Sequence, residues 1–360
     1  MADWAAISAA IGSATGQPFQ PASHFSVGGG CINQTCSLRG RDGRDFFVKL
    51  NDARRDAMFA DEVAGLEAIA ATNTVRVPQP VTHGICGTRA FLVLEYLDLQ
   101  PRGNAAQLGE RLAAMHRCTS LPLPCGEITS DLAALPPSRM ASSFIRVGGR
   151  VDTSRFGFPH DNFLGTTPQP NGWTDDWLTF WRERRLGYQL RLAAENGHGG
   201  NLQKLGERLM DALPAFFAGY APQPSLLHGD LWGGNHGYLA DGAPVVFDPA
   251  AYYGDRECDL AMTELFGGYG ADFYAAYCDA WPLDAGYAVR KELYNLYHIL
   301  NHANLFGGDG CDTLLAKPAD CGSNHQVALP GHLSTKRRTM ATGYARQAEQ
   351  MMQRLLTELD

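Results

Sequence analysis

Ser225–Asn235 reads "SLLHGDLWGGN". A His, an Asp and an Asn stand around glycines and a tryptophan, directly after an apolar run. Asp and Asn beside glycine are ordinary turn chemistry, so Asp230 and Asn235 alone are not distinctive. His228, two residues before Asp230, is less common there. The fold class turns on whether this stretch is a surface turn or a reaction centre. Further on the chain reads "VVFDPA", where Asp248 closes the β-rich run Val245–Phe247. A carboxylate at the end of a buried strand suits a divalent cation, whose ligands are hard oxygens. Taken alone, an Asp capping a turn ahead of Pro249 is the better reading. Beside Asp230 and Asn235 the balance reverses.

The spacing His-x-Asp-x4-Asn is that of a kinase catalytic loop, in which the Asp accepts the proton of the attacking hydroxyl and the Asn holds magnesium. That chemistry needs a carboxylate that reaches the acceptor without giving all its charge to metal. It also needs a neutral amide oxygen nearby. On this reading Asp230 is the catalytic base, and Asn235 and Asp248 are Mg2+ ligands.

What ATP would need lies upstream. Gly28, Gly29 and Gly30 sit between two expected strands, where backbone N–H groups can approach phosphates. Gly28 and Gly30 fit G-x-G-x-x-G, but Asn33 holds the third glycine position. By itself a hairpin turn is the better reading of these glycines. Lys49 in "FFVKLN" is flanked by apolar residues on an expected central strand, which is unusual unless its charge is met. Phosphate and Glu62, on the following helix, would meet it. Singly, a snorkelling lysine and a solvated glutamate are commoner. "AFLVLEYLDL" reads as a buried strand leading to a hinge, whose backbone at Glu95, Tyr96 and Leu97 would hold adenine. Glycine loop, strand Lys, helix Glu, apolar strand, HGD-x4-N and FDP follow one another in kinase order, each on the expected element. That order outweighs the plainer reading of any one of them.

Composition sets the limits. The chain has 360 residues, 45% hydrophobic and 19% charged, with a net charge of −8, which is ordinary globular composition. The acidic balance argues against a nucleic-acid surface, and no apolar run is long enough to span a membrane. The start, "MADWAAISAAIGSATG", lacks the basic residues of a secretory signal and reads as an amphipathic helix. Nine cysteines without CxxC pairing suggest neither a disulfide framework nor a zinc site, and a reducing cytoplasm is the expected compartment.

The expected architecture is α+β and bilobal, protein-kinase-like. Residues 1–97 form a small antiparallel-sheet lobe that binds ATP, with a helix over "DAMFADEVAGLEAIAAT". Residues 98–360 form a mainly helical catalytic and substrate lobe. Helices are expected over "AAQLGERLAAMHR", "DDWLTFWRERRLGYQLRLAAENG", "KLGERLMDALPAFF" and "GYARQAEQMMQRLLTEL". "HGYLADGAPVVFDPA" reads as a hairpin turning at Asp241-Gly242. The aperiodic stretch at about 309–342 is longer than ordinary loops and reads as an insertion, a candidate mobile segment.

"SLLHGDLWGGN", "VVFDPAAYYGDRECDLAMTELFGG", "FFVKLN", "FGFPHDNFLGTTPQPNGW" and "LYNLYHILNHANLFGG" together resemble the fructosamine/ketosamine-3-kinase family. Trp232, directly after Asp-Leu, is the distinguishing mark, since generic kinases require no aromatic there. The resemblance runs from about residue 4 to Gly308 and resumes at Gly343. It implies ATP-dependent phosphorylation of the sugar 3-hydroxyl of ketosamines, free or protein-bound. The product adduct is unstable and releases the amine. By the same resemblance Asp230 is the base, Asn235 and Asp248 bind magnesium, Lys49 with Glu62 orients phosphate, and Trp232 lines the sugar site. His302 is a candidate substrate contact, with a buried structural histidine as the equal alternative. Asp255 and Asp259 read as bracing the loop and capping a helix rather than as doing chemistry. The resemblance also implies that Cys31, directly after the glycine loop, is a candidate redox switch through a disulfide between protomers, with an inert thiol in a turn as an alternative at least equal to it, so monomer and redox-sensitive homodimer both stay open. Two other readings compete: an aminoglycoside- or choline-kinase-like phosphotransferase, and a nucleotide-binding pseudokinase. Intact Lys49, Asp230, Asn235 and Asp248 argue against the last.

Overall fold

The computed structural model describes residues 3–28, 32–118, 120–122, 146–147, 150–152, 155–307 and 331–359. They gather into two compact units, Met1–Trp173 with Gln223–Leu283, and Thr174–Pro222 with Asp284–Asp360.

The first unit opens with helix α1 (Trp4–Thr15). Asp3 caps it by accepting the N–H groups of Ala5 and Ala6, and Gly16 at φ 68° ends it, the residue type that takes a left-handed cap without strain. Strands β1 (Pro21–Ser26), β2 (Gln34–Gly40), β3 (Asp45–Asp52), β4 (Pro80–Cys86) and β5 (Arg89–Glu95) form an antiparallel sheet in the order β1-β2-β3-β5-β4. Helix α2 (Asp56–Ala71) joins β3 to β4. Side chains alternate across a strand. Phe46, Val48 and Leu50 therefore enter one core with Ile7 and Ile11 of α1, while Lys49 faces the other side. Helix α2 packs on that second side, touching β4 and β5. Both faces of β5 are covered, so Ala90 to Leu94 are all buried, which explains its unbroken apolar run.

Helix α3 (Ala105–His116) is capped by Asn104 and buries Leu108, Leu112 and Met115, the positions its spacing predicts. The backbone then forms a small sheet of β6 (Ser120–Pro122), β7 (Arg146–Val147) and β8 (Arg150–Asp152), followed by the hairpin β9 (Asn162–Leu164) and β10 (Thr167–Gln169).

The chain next enters the second unit through α4 (Trp177–Phe180), α5 (Gly187–Glu195) and α6 (Asn201–Phe216). The single helix expected over "DDWLTFWRERRLGYQLRLAAENG" is interrupted. Between α4 and α5, Trp181–Leu186 winds as a π-helical turn. Arg185 is fully buried in it, its guanidinium 4.5 Å from the centre of the Phe180 ring. A π turn inserts a residue into the helix, and a 3.6-residue pattern does not register it.

Four short strands return to the first unit: β11 (Ser225–Leu227), β12 (His236–Tyr238), β13 (Pro244–Val246) and β14 (Tyr252–Gly254). Helices α7 (Glu257–Leu265) and α8 (Ala271–Ala280) complete it, with α8 against α3. The chain ends in the second unit with α9 (Tyr287–Gly307) and α10 (Gly331–Thr357), which pack together. Ala348, Met351, Met352 and Leu355 of α10 are buried, matching the expected stripe. Of the stretch read as an aperiodic insertion at about 309–342, residues 309–330 lie outside those described. Helix α10 already begins at Gly331, because "LSTKRRTMAT" holds mostly tolerant or good helix formers after Pro330. Among the described residues no helix is long and apolar enough to cross a membrane.

Candidate active site

Two nested antiparallel pairs build the site. Strand β11 pairs with β14, and β12 pairs with β13 inside them. Asp241 accepts the Ala243 N–H at 2.9 Å and Gly242 sits at φ 84°, so the expected hairpin turn closes there. The nesting lays His228–Asn235 beside Phe247–Ala251. Two backbone bonds tie them: Phe247 N–H to Asn235 O at 3.0 Å and Ala250 N–H to His228 O at 2.9 Å. Gly229, at φ 81°, has no room for a Cβ against Ala250 O.

The catalytic-type loop is anchored from below. Asp259, in the first turn of α7 and 1% exposed, accepts the His228 N–H at 2.7 Å and the Gly229 N–H at 2.8 Å. Burial works against its charge, but the His116 hydrogen bond and the other donors around it hold its carboxyl below the usual range. His116 lies 3.1 Å from Asp259 and 2.8 Å from the Tyr277 hydroxyl. Asp255 accepts the Glu257 N–H at 3.0 Å and so caps α7. Asp259 therefore braces the loop and Asp255 caps the helix, the two structural roles the sequence suggests. His228 is buried, its Nε2 2.9 Å from Phe247 O and its Nδ1 3.3 Å from the Asp230 N–H. This pattern fixes the tautomer with the proton on Nε2, and burial lowers its pKa, keeping the ring neutral.

Asp230, Asn235, Asp248, Lys49 and Glu62 fall in the same unit. The Asn235 Nδ2 group donates to Asp230 O at 2.8 Å and to Asp230 Oδ2 at 3.2 Å. Both amide hydrogens are thereby directed at Asp230, and Oδ1 is turned away from it. Burial, helped by the Asp248 charge, pushes the Asp230 carboxyl up to about 7. Lys49, 3% exposed, reaches Glu62 at 2.6 Å and Asp248 at 2.5 Å. Burial opposes its charge, yet the two carboxylates outweigh it and raise its pKa. Burial likewise raises Glu62, to about 7. Asp248 takes a left-handed conformation at φ 58°, uncommon for a residue with a side chain, and its side chain remains 45% exposed.

Asn235 and Asp248 supply one neutral and one anionic hard oxygen, the donor set of a magnesium ion that keeps waters and phosphate oxygens as its other ligands. Asn235 turns its amide hydrogens to Asp230, which leaves its oxygen to accept elsewhere, and the Asp248 side chain is 45% exposed, so these residues fit the ion. Among the described residues no group of three His, Cys, Asp or Glu could hold a metal unaided.

The remaining expected site residues are placed less uniformly. Gly28 is exposed in the loop after β1, while Gly29, Gly30 and Cys31 lie outside the described residues. Glu95 ends β5, its N–H already paired with Gln79 O at 2.9 Å and its carboxylate with Arg76 at 2.5 Å. Tyr96 and Leu97 follow it. Trp232 is 38% exposed, edge-on to Phe266 at 6.4 Å, and its carbonyl accepts the Tyr269 hydroxyl at 3.2 Å. His302 stands on α9 in the second unit, where its Nδ1–H donates to His298 O at 2.7 Å and its ring lies beside Phe306 and Tyr344. Sequence reasoning does not single out Phe266 or Tyr269. Their only signal is the aromatic content of "ELFGGYGADFY".

Comparison with known proteins places this geometry. The sequence pattern of the fructosamine kinase family matches residues 3–122 and 138–316. A "Probable ketoamine kinase" of Synechocystis sp. is 45% identical over 311 residues, covering 85% of this chain and 92% of that protein. The chloroplastic protein-ribulosamine 3-kinase of Arabidopsis thaliana is 40% identical over 284 residues, 78% of this chain and 77% of that one. Among solved structures, the "putative fructosamine-3-kinase" of Haemophilus somnus superposes with a TM-score of 0.73 over 98% of this chain and 97% of its own, at 24% identity. An aminoglycoside phosphotransferase complexed with gentamicin shares the fold at a TM-score of 0.52 and 12% identity, covering 97% and 98% of the two chains. The α+β protein-kinase-like fold is thus established, and the chain belongs to the fructosamine kinase family.

Proposed function

We propose that the protein is an ATP-dependent ketosamine 3-kinase that transfers a phosphoryl group to the sugar 3-hydroxyl of an adduct between a reducing sugar and an amine. The observation that carries this reading is the convergence of Lys49, Glu62, Asp230, Asn235 and Asp248, brought from distant parts of the sequence, in a chain of this family.

Phosphoryl transfer relies on positioning and charge stabilisation more than on covalent help. Asp230 accepts the proton of the attacking hydroxyl, and Asn235 holds its carboxylate in one orientation. Lys49, kept charged by Glu62, offers its ammonium to the phosphates of ATP. Asn235 and Asp248 would hold Mg2+, which supplies charge neutralisation on the transferring group. Trp232 presents a half-exposed aromatic face to the sugar's C–H surface. Backbone groups at Tyr96 and Leu97 receive the adenine.

The test is ATP consumption with ribulose-lysine, fructose-lysine and an aminoglycoside, wild type beside Asp230→Ala. Turnover with a ketosamine, lost in the variant, is the expected result. Turnover with the aminoglycoside alone would move the chain to the antibiotic-modifying phosphotransferases. Silence with all three while ATP binds would make it a pseudokinase.

A further inference from the structure

The segment "FGFPHDNFLGTTPQPNGW" carries part of the family resemblance but has no role in the reaction just derived. Its structure suggests one. Asn162, Gln169 and Asn171, on and beside the β9–β10 hairpin, are at most 3% exposed. Burying an amide is costly unless it is hydrogen-bonded; here Gln169 and Asn171 both donate to Asn162, and Asn162 and Gln169 also reach one short piece of backbone. Gln169 Nε2 donates to Asn162 Oδ1 at 2.7 Å and to Ala250 O at 3.1 Å. Asn162 Nδ2 donates to Ala251 O at 2.9 Å. Asn171 Nδ2 donates to Asn162 Oδ1 at 2.8 Å and to His160 O at 3.2 Å, and Asp161 accepts the Asn171 N–H at 2.7 Å.

Ala250 and Ala251 lie just ahead of β14, where the strand ladder has not begun, and directly after Asp248 and Pro249. The amides take the place of the missing ladder. The same hairpin also reaches α2. His160 lies 3.3 Å from Asp61, the neighbour of Glu62. From α2, Gly65 comes so close to Pro249 that a Cβ would stand 3.1 Å from its ring.

We infer that the β9–β10 hairpin is a positioning element for the magnesium and phosphate end of the site. Asn162 and Gln169 are its positioning residues, holding the backbone that keeps Asp248 left-handed and in reach of Lys49. A left-handed non-glycine residue persists only where its surroundings over-determine it, and this network is what does so here. The hairpin thereby links the two carboxylates that meet Lys49, one directly through the Ala250–Ala251 carbonyls and the other through α2.

The inference rests on the proposed kinase reading for its catalytic consequence, but its test does not. In full-length Gln169→Met, which keeps the volume and removes the donor, hydrogen exchange of the unliganded protein is followed over Asp248–Tyr252, with α6 as the internal control. Magnesium dependence of binding to a fluorescent ATP analogue is measured alongside. Exchange should quicken over Asp248–Tyr252 and not in α6. The Mg2+ concentration for half-maximal binding should rise about tenfold, as for other residues that orient a metal's ligands, while KM for the ketosamine stays unchanged. Asp161→Ala, at an exposed position, should shift both readouts in the same direction by less, and it carries the test if Gln169→Met does not fold. Wild-type exchange and magnesium dependence in both variants would overturn the inference, as would changes that only follow a loss of global protection. Wild type that consumes no ATP with any ketosamine would sink the proposed function, yet exchange and nucleotide binding would still decide this point.

Discussion

Asp230 is a partly buried and Asp259 a fully buried acid of the first unit, and their surroundings push them in opposite directions. Asp230 faces burial and the Asp248 charge, with one amide in support, so its carboxyl rises to about 7. Asp259 is met by two backbone N–H groups and by His116, which outweigh burial. The first arrangement suits a proton acceptor and the second a structural anchor. Asp230→Asn should leave the melting temperature nearly unchanged and lower kcat by about 10²- to 10⁴-fold, the span of a lost general base, as read by coupled ATP turnover. Asp259→Asn should destabilise the protein by roughly 1.5–3 kcal/mol at neutral pH, the worth of a hydrogen bond to a charged group, measured by urea unfolding. The sign follows from linkage. The folded pKa of Asp259 lies below its unfolded value near 3.8, so its stabilisation is complete above that pH and is lost as pH falls through the folded pKa. The gap between wild type and Asp259→Asn should therefore be widest near neutrality and narrow below about pH 4. Lys49 and Glu62 were legible as a pair, because a lysine on a central strand demands a partner and the next helix supplies one. That Asp248 also holds Lys49, 199 residues away in sequence, was not, since nothing local to either residue records the other.

At the scale of elements, close approach is bought by glycine. Helix α3 meets α8 at Gly109, where an added Cβ would run into Phe273 O. The obstacle is backbone and cannot swing aside. Gly109→Ala should lower stability despite alanine's better helix propensity, by about 1–3 kcal/mol as overpacking does, seen as a lower denaturation midpoint. Gly229→Ala should be worse for function than for folding, because it both strains a positive φ and pushes the catalytic-type loop from Ala250. Most helices and the five-stranded sheet were legible from period and turn residues. The π turn at Trp181–Leu186 was not, because a 3.6-residue pattern runs through it without registering the inserted residue. Within that turn Arg185 is buried against Phe180.

For the whole molecule, the proposed site lies in a unit assembled from two separate runs of chain, Met1–Trp173 and Gln223–Leu283. A ligand that binds only the folded state stabilises it by RT ln(1 + [L]/Kd), about 2.7 kcal/mol at a hundredfold excess over Kd. Thermal unfolding with ATP and Mg2+ should accordingly shift upward. EDTA should remove most of that shift, and Lys49→Met should abolish it. In the second unit, Met352 of α10 is fully buried. Met352→Ala should cost about 2–5 kcal/mol, the usual range for emptying such a position, as read by calorimetry.

The sequence by itself determined the family and the fold class of the protein, and it named Lys49, Glu62, Asp230, Asn235 and Asp248 as candidates that the fold brings into one unit. Hydrophobic period is a local property that survives in one dimension, so strands, helices and their buried faces can be read from it. The order of Gly28, Lys49, Glu62, Asp230, Asn235 and Asp248 along the chain carried the rest. Only the tertiary structure decided what holds those residues in place. The amide network of Asn162, Gln169 and Asn171, the anchor at Asp259 and the double pairing of Lys49 all join residues far apart in sequence. Asn162, Gln169 and Asp259 reach backbone carbonyls and N–H groups that any sequence possesses, and Asp248 reaches Lys49 from 199 residues away. A hydrogen bond to a main-chain atom leaves no trace in residue identity at the far end, and so it becomes visible only when the chain has closed on itself.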